Sequence, residues 1–526
     1  MKNPLTHKYS PWLLTLILGV CVFVFWRIRY PFALTYQEQF QLFLFDGDYF
    51  LERIAEPGGL ARYLGEFLTQ FYNSPTLGAA ILAILMMLVQ RLTWRLMRIE
   101  NSGFEIKSYY ALSFIPAVML WYAMGDESVL LAYVVAMVIA MGAAILYLRC
   151  HVNRVTRYVI VLLALPVLYW LIGPMVLLVA VVMMPWTVAV PATIYSIAII
   201  LLSAHFTPFP SSRLFMGISY YRFPDGIPYI LIAIPIVIAL LRWMGTVKKI
   251  ARQGDGNRTM ILVTVLTIVL AVALVPLGYD AKKYELMEYD YLVRIKDWKA
   301  IIAKAEKQTP DLPMSVSATN MALAMTNQLG ERAFDFYQRG SEGLLPPFER
   351  NFSTTQLTGD IYFYLGLVNT SQRFAFEAME AIPNYNKSGR VVKRLAETNL
   401  INGQYDVARK YLRMLEKTIF YRPWSQQALA MLGDEKQIDA HPIYGTLRQF
   451  RLQDDFLFSE DELDKICGQL FMHNHHNQMA TQYLVMAPLL DGDGQRFINY
   501  VSYVQSKVNY NPRYVREAIA KIRRMR

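Results

Sequence analysis

Apolar runs long enough to cross a bilayer recur along the first half of this chain, and they limit its fold more than any other feature. They lie near 11–30, 75–94, 108–124, 128–148, 157–173, 225–244 and 259–278, each close to the roughly 20 residues a transmembrane helix needs. A further apolar stretch, Met175 to Leu202, is broken by Pro185 and Pro191 and reads as one kinked span or two short ones. From Asp280 onward such runs stop, and helical periodicities with few strand signals take over. The chain therefore reads as all-α: a polytopic transmembrane helix bundle with interfacial helices over 1–279, followed by a soluble α-helical domain over 280–526. With 55% hydrophobic residues over 526 positions and a mean hydropathy of +0.25, it is too apolar for an ordinary soluble protein and too long for one domain.

Basic residues decide the span count by parity, because Lys and Arg collect in connectors that face the cytoplasm. Arg91, Arg95, Arg98 and Lys107 form one such group, Arg149, Arg154 and Arg157 a second, and Lys248, Lys249, Arg252 and Arg258 a third. All three share a side if 175–202 crosses twice. That predicts nine spans, an N-terminus inside, and everything after Tyr279 outside, which in a bacterial inner (cytoplasmic) membrane is the periplasm. Arg27 and Arg29 dissent from this scheme, against Lys2 and Lys8 in the short leading tail.

The net charge of +11 follows from the same connectors and brings no nucleic-acid motif with it. Three cysteines, Cys21, Cys150 and Cys467, argue no disulfide framework. The first run, Pro11 to Trp26, lacks a small-residue cleavage site and reads as a retained anchor. No proposed span carries an ionisable residue near its centre, which argues against ion-coupled transport.

The first outer segment, 31–74, combines acids with aromatics in "QEQFQLFLFDGDYFLERIAEPGG". After the turn signal Glu56-Pro57-Gly58-Gly59, residues Leu60, Tyr63, Leu64, Phe67, Leu68, Phe71 and Tyr72 recur at helical spacing and leave Arg62, Glu66 and Gln70 opposite. That predicts a helix in the membrane interface, ended by Asn73-Ser74-Pro75. Upstream, Glu38, Asp46, Asp48 and Glu52 punctuate a second apolar helix. Read plainly, these acids are the wet faces of interfacial helices. The Asp46-Gly47-Asp48 spacing also suits a divalent cation, Mg2+ or Mn2+, as cofactor. A second acidic pair, Asp126-Glu127, falls in a short turn on the same side.

Acidic sites after the first and third spans, with amphipathic helices between spans one and two, resemble the membrane glycosyltransferases of the GT-C fold. The resemblance covers roughly 11–280. It implies a polyprenyl-phosphate-linked sugar as donor and an outer-loop acid as base or metal ligand. Glu38, Asp46 and Asp48 match in the first loop, and Asp126 and Glu127 in the second. The first-loop acids lack the adjacent Asp-Asp or Asp-Glu pair many members carry. The segments "QEQFQLF", "PGGLARYLGEFLTQFYNSPTLGA" and "RLAETNLINGQYDVARKYL" further resemble an uncharacterised family of Bacteroidota multi-span membrane proteins, which implies layout and origin and no activity. Such chemistry needs a cation for the leaving lipid phosphate, and Arg213 and Arg222 in the loop 205–228 suit it, a guanidinium matching phosphate geometry. The plain alternative is a snorkelling arginine paired with Asp225 or lipid headgroups.

In the second half, 292–310, 365–383 and 399–418 form a weak repeat, the third resembling a tetratricopeptide helix pair through Gly403, Tyr405, Ala408 and Leu412. Such pairs stack into solenoids that bind a protein or peptide partner. His473, His475 and His476 read as a turn, with a metal site as the alternative, and the basic tail "YVREAIAKIRRMR" as a solvated helix. Two function classes follow: a transferase on the periplasmic face, or a membrane-anchored scaffold of an envelope assembly.

Overall fold

The computed structural model describes residues 4–99, 106–150, 152–222, 228–246, 257–349, 351–383, 386–452 and 463–525. Every regular element among them is helical. The chain divides into two compact units, Met1–Ala281 and Lys282–Arg526.

The first unit holds α1 (Pro4–Val24), α2 (Pro31–Glu38), α3 (Gly47–Ile54), α4 (Gly59–Thr69), α5 (Pro75–Arg98), α6 (Ile115–Ala123), α7 (Leu131–Arg149), α8 (Arg154–Ile172), α9 (Val176–Val182), α10 (Trp186–Ser203), α11 (Ser211–Met216), α12 (Tyr229–Thr246) and α13 (Asn257–Leu277). Seven helical runs among the described residues are long and apolar enough to cross a membrane: Pro11–Arg29, Pro75–Arg98, Leu131–Arg149, Val155–Val182, Trp186–Ser203, Tyr229–Thr246 and Met260–Leu277. Tyr109–Ala123 is apolar but shorter.

The unit has two distinct ends. At the first, Arg27 donates to Thr76 at 2.8 Å, Phe25 packs edge-on against Trp121 and Tyr279, and Leu130 N–H donates to the Tyr220 carbonyl at 3.0 Å. We call this the loop end. At the opposite, basic end, the Arg91 guanidinium lies 3.5 Å from the Trp12 ring centre and Trp94 meets Tyr110 edge-on.

The apolar stretch that reads as one span or two turns at both its ends. Gly173 adopts φ +60 and takes the chain out of α8, and α9 is only seven residues long. Helices α8 and α10 run parallel: Tyr158 donates to the Thr187 carbonyl at 3.3 Å, Tyr195 to that of Leu162 at 3.3 Å, and Tyr169 and Ser203 lie 2.6 Å apart. Parallel neighbours need the chain to return between them. The segment 173–185, with α9 inside it, makes that return.

Helix α4 corrects the sequence expectation. Its buried residues are Gly59, Ala61, Arg62, Gly65, Glu66 and Thr69, so Arg62, Glu66 and the following Gln70 face the protein interior. Tyr63, Leu64, Phe67, Leu68 and Phe71 are the half-exposed face. The helix is amphipathic as read and turned the other way, because its outer surroundings are apolar.

The second unit strings helix pairs together: α14 (Ala281–Arg294) with α15 (Trp298–Lys307), then α16 (Pro313–Met325) and α17 (Leu329–Arg332). Next come α18 (Phe352–Leu365) with α19 (Val368–Glu380), and α20 (Gly389–Ile401) with α21 (Tyr405–Glu416). There follow α22 (Arg422–Met431), α23 (Glu435–Ala440) and α24 (Tyr444–Phe450). The last are α25 (Leu463–His473) with α26 (Gln478–Leu490), and α27 (Gly494–Gln505) with α28 (Arg513–Met525). The three repeat-like segments each fall across the turn of a pair, at 295–297, 366–367 and 402–404. Gly403, at φ +76, makes the last of these turns. Ala408, Leu412 and Ile438 pack beneath it in one apolar cluster with Leu400. The terminal helix α28 buries Val515 and packs Ala518, Ile519 and Ile522 on the larger core, leaving Arg513, Arg516, Lys521, Arg523 and Arg524 exposed.

Candidate functional site

Three connectors meet at the loop end. Residues 128–130 and 220–222 pair as a short antiparallel ladder: Val129 bridges Tyr221, and Arg222 N–H donates to the Ser128 carbonyl at 2.7 Å. The third contributor is the segment after α2, because the Arg222 guanidinium stacks 3.7 Å from the centre of the Phe40 ring. Asp126 and Tyr221, 95 residues apart in the sequence, come here into side-chain contact.

Asp126 sits at the edge of this ladder. Its carboxylate accepts from Ser128 N–H at 2.9 Å and from the Tyr221 hydroxyl at 3.2 Å. Asp126 and Glu127 are half-buried, whereas Glu38, at the end of α2, is buried. Arg222 is buried too, and its Nη1 has no hydrogen-bond partner among the described residues. Burial lowers its guanidinium to about 10, opposed by the negative charges of Glu127 and Asp126 and the nearby Tyr36 phenol. It stays cationic at neutral pH. Burial and the Asp126 charge both raise the Tyr221 phenol, keeping it a proton donor to that carboxylate.

The other candidates stand elsewhere. Asp46 is half-buried at the N-terminus of α3, and Asp48 is exposed in the first turn. No group of three His, Cys, Asp or Glu side chains converges among the described residues, so no third side chain of those types joins Asp46 and Asp48. Arg213 is half-buried in α11, and Asp225 lies outside the described residues. In the second unit, His475 turns its Nδ1 to the Phe471 carbonyl at 2.7 Å.

Sequence reasoning missed a second polar cluster behind the first loop. Glu66 Oε2 accepts from Arg53 Nε at 2.8 Å and from the Tyr49 hydroxyl, and Oε1 accepts from Arg62 Nε at 3.1 Å. Arg62 reaches on to Glu56 at 2.6 Å and Arg53 to Glu52 at 2.7 Å. Burial and the Glu66 charge hold the Tyr49 phenol far above its ordinary range. The cluster locks α3 to α4, and Gly65 lets α4 press on α7, where a Cβ would lie 2.6 Å from the Ala132 nitrogen. The α3–α4 turn is tied to α8, with Gly58 N–H donating to the Trp170 carbonyl at 2.8 Å and the Trp170 indole donating to that of Ile54 at 2.9 Å. The missed signal was the stripe Ala61, Gly65 and Thr69, small residues on the same face as Arg62 and Glu66.

Beside the ladder opens an apolar cavity of about 600 Å³. Its walls are α9 (Leu177, Leu178, Val181 and Val182) and α12 (Leu231 to Trp243), and Tyr220 lines it at the loop end. The polar cluster and the apolar cavity are thus separated by two residues of chain.

No curated protein and no solved structure matches this chain. The model of a family of unknown function, DUF6057, matches residues 7–525. A match over nearly the whole length makes the chain a member of that family.

Proposed function

We propose that this protein is a membrane transferase of the GT-C type, moving a sugar from a polyprenyl-phosphate carrier to an acceptor at the periplasmic face. The observation that supports the reading is Arg222: a buried guanidinium whose Nη1 has no partner among the described residues, within reach of the Asp126 and Glu127 charges, where three connectors meet. A carboxylate there, Asp126, Glu127 or Glu38, accepts the proton of the acceptor hydroxyl. The sugar–phosphate C–O bond breaks as the glycosidic bond forms, and Arg222, with Arg213 nearby in sequence, holds the lipid phosphate that leaves. This reading assigns no step to Asp46 and Asp48.

The reading takes the loop end as periplasmic. Counting Tyr109–Ala123 as one pass and the return segment 173–185 as another gives nine crossings, with the N-terminus and the connectors rich in Lys and Arg in the cytoplasm. The second unit then lies in the periplasm, where its tetratricopeptide-like helix pairs guide the acceptor or a protein partner.

The test is complementation of a deletion strain, at equal expression, with envelope glycans as the readout. Arg222→Gln, Glu38→Gln and Asp126→Asn/Glu127→Gln are expected to behave like the deletion, and Asp46→Asn/Asp48→Asn like wild type. Full complementation by all four sinks the transferase reading and leaves the anchored scaffold.

A further inference from the structure

A smaller pocket, of about 340 Å³, opens at the basic end where the C-terminus of α7, the N-terminus of α8 and the start of α10 meet. Tyr147 and Leu148 come from α7, Arg157 from α8, and Met184, Pro185 and Trp186 from the turn into α10. Met184 and Trp186 also line the apolar groove between α9 and α12. The polar pocket and the apolar groove therefore share a wall.

Every polar group of this pocket favours an anion. Arg157 is half-buried and forms no ion pair among the described residues. None of the three helices around it could supply a carboxylate, because the sequence has no Asp or Glu between Glu127 and Asp225, a stretch that holds all of α7, α8 and α10. The Tyr147 hydroxyl oxygen is buried and has no hydrogen-bond partner among the described residues, a state in which buried hydroxyls are rarely left. The first turn of α10 follows Pro185 and has no side-chain cap, so its leading N–H groups add positive potential. Trp186, exposed at that turn, is a residue type that anchors in the headgroup layer. An arginine that only marked membrane topology would stand exposed, as Arg95 does on α5.

We propose that this pocket binds the phosphate of an anionic diacyl phospholipid, of the phosphatidylglycerol kind, from the leaflet that meets the basic end. Arg157 and the Tyr147 hydroxyl donate to the phosphate oxygens, and the acyl chains leave along Met184 and Trp186. The net charge of the lipid matters, because no acid in the pocket can hold the ammonium of a zwitterionic headgroup. The site shares no residue with the chemistry proposed at the loop end and does not depend on it.

Native mass spectrometry of the full chain in detergent tests this with dioleoyl phosphatidylglycerol, dioleoyl phosphatidylcholine and inorganic phosphate as probes. Wild type is expected to hold phosphatidylglycerol about tenfold more tightly than phosphatidylcholine. Arg157→Gln is expected to bring the two lipids within about twofold of each other, and Tyr147→Phe to weaken phosphatidylglycerol by about threefold. Arg157→Lys keeps the charge without the planar fork and is expected to retain part of the preference, which guards against a folding defect in the glutamine variant. Arg95→Gln removes an equal charge from the same end and is expected to leave the preference within about twofold of wild type. Inorganic phosphate in excess is expected to leave the bound phosphatidylglycerol in place. Equal binding of the two lipids by wild type, equal losses from Arg157→Gln and Arg95→Gln, or a preference that neither Arg157→Gln nor Tyr147→Phe touches overturns the proposal. Displacement of the lipid by inorganic phosphate would mark a site for the free anion and overturn the lipid assignment.

Discussion

Arg53 and Glu66 form a buried ion pair 2.8 Å long between α3 and α4, with only 8% and 4% of their side chains exposed. Two arginines and a tyrosine share that one carboxylate, so its charge is what makes their burial tolerable. Removing it while keeping its shape leaves Arg53 and Arg62 to their outer partners, Glu52 at 2.7 Å and Glu56 at 2.6 Å. Glu66→Gln is expected to destabilise the first unit by about 3–5 kcal/mol, read as a lowered unfolding midpoint in detergent. Glu52→Gln, at the exposed rim of the same network, is expected to cost less than about 1 kcal/mol.

Gly65 is a contact point and not a hinge. A Cβ there would lie 2.6 Å from the Ala132 backbone nitrogen and 2.7 Å from its Cα, so α4 and α7 would have to move apart to admit a side chain. Gly65→Val is expected to cost about 1–3 kcal/mol by overpacking. Gly142, which has nothing within 4 Å of an added Cβ, supplies the control: Gly142→Ala should leave the unfolding midpoint where it is or raise it.

In the second unit, Arg390 spans two helices by donating to Asp290 and Asp360, each at 2.7 Å. Arg390→Met takes this cation from Asp290 and leaves Asp360 only Arg394, at 2.6 Å, and a loss of about 3–5 kcal/mol is expected in chemical denaturation. The exposed pair Arg409–Asp406 at 2.6 Å should cost less than about 1 kcal/mol when broken by Arg409→Gln.

His441 gives the second unit a pH dependence of known sign. Partial burial lowers its affinity for a proton, aided by Lys296 and opposed by Glu397. Its Nδ1 also accepts from the Ile443 and Tyr444 N–H groups at 3.3 and 3.2 Å, which the imidazolium cannot do. The unfolded chain therefore takes up the proton first. Stability is full above the ordinary imidazole value of about 6.5 and falls as the pH drops below it, through the lowered folded value. His441→Gln should flatten the unfolding midpoint over that window, and an unchanged slope would refute the assignment.

The apolar runs and the helix-pair turns were legible because each rests on a local signal, run length or a glycine after an apolar face; the contact of Asp126 with Tyr221, 95 residues apart in the sequence, was not. Nor was the orientation of α4. Periodicity separates its two faces but carries no information about which one meets the protein, and next to lipid the usual assignment reverses. Only the small residues Ala61, Gly65 and Thr69 point to close packing on the polar side. The groove was illegible for another reason. It arises from the shortness of α9 beside α12, a property of two segments some fifty residues apart that neither sequence displays alone.

The parallel course of α8 and α10 has a consequence for how the chain is made. A leg of thirteen residues, bounded by Pro174 and Pro185 and with only seven residues of α-helix, is a poor candidate to partition out of an insertion channel by its own affinity for lipid. Its seven-residue helix α9 is too short to cross a bilayer alone, so the position of this leg depends on its packing against α8 and α10.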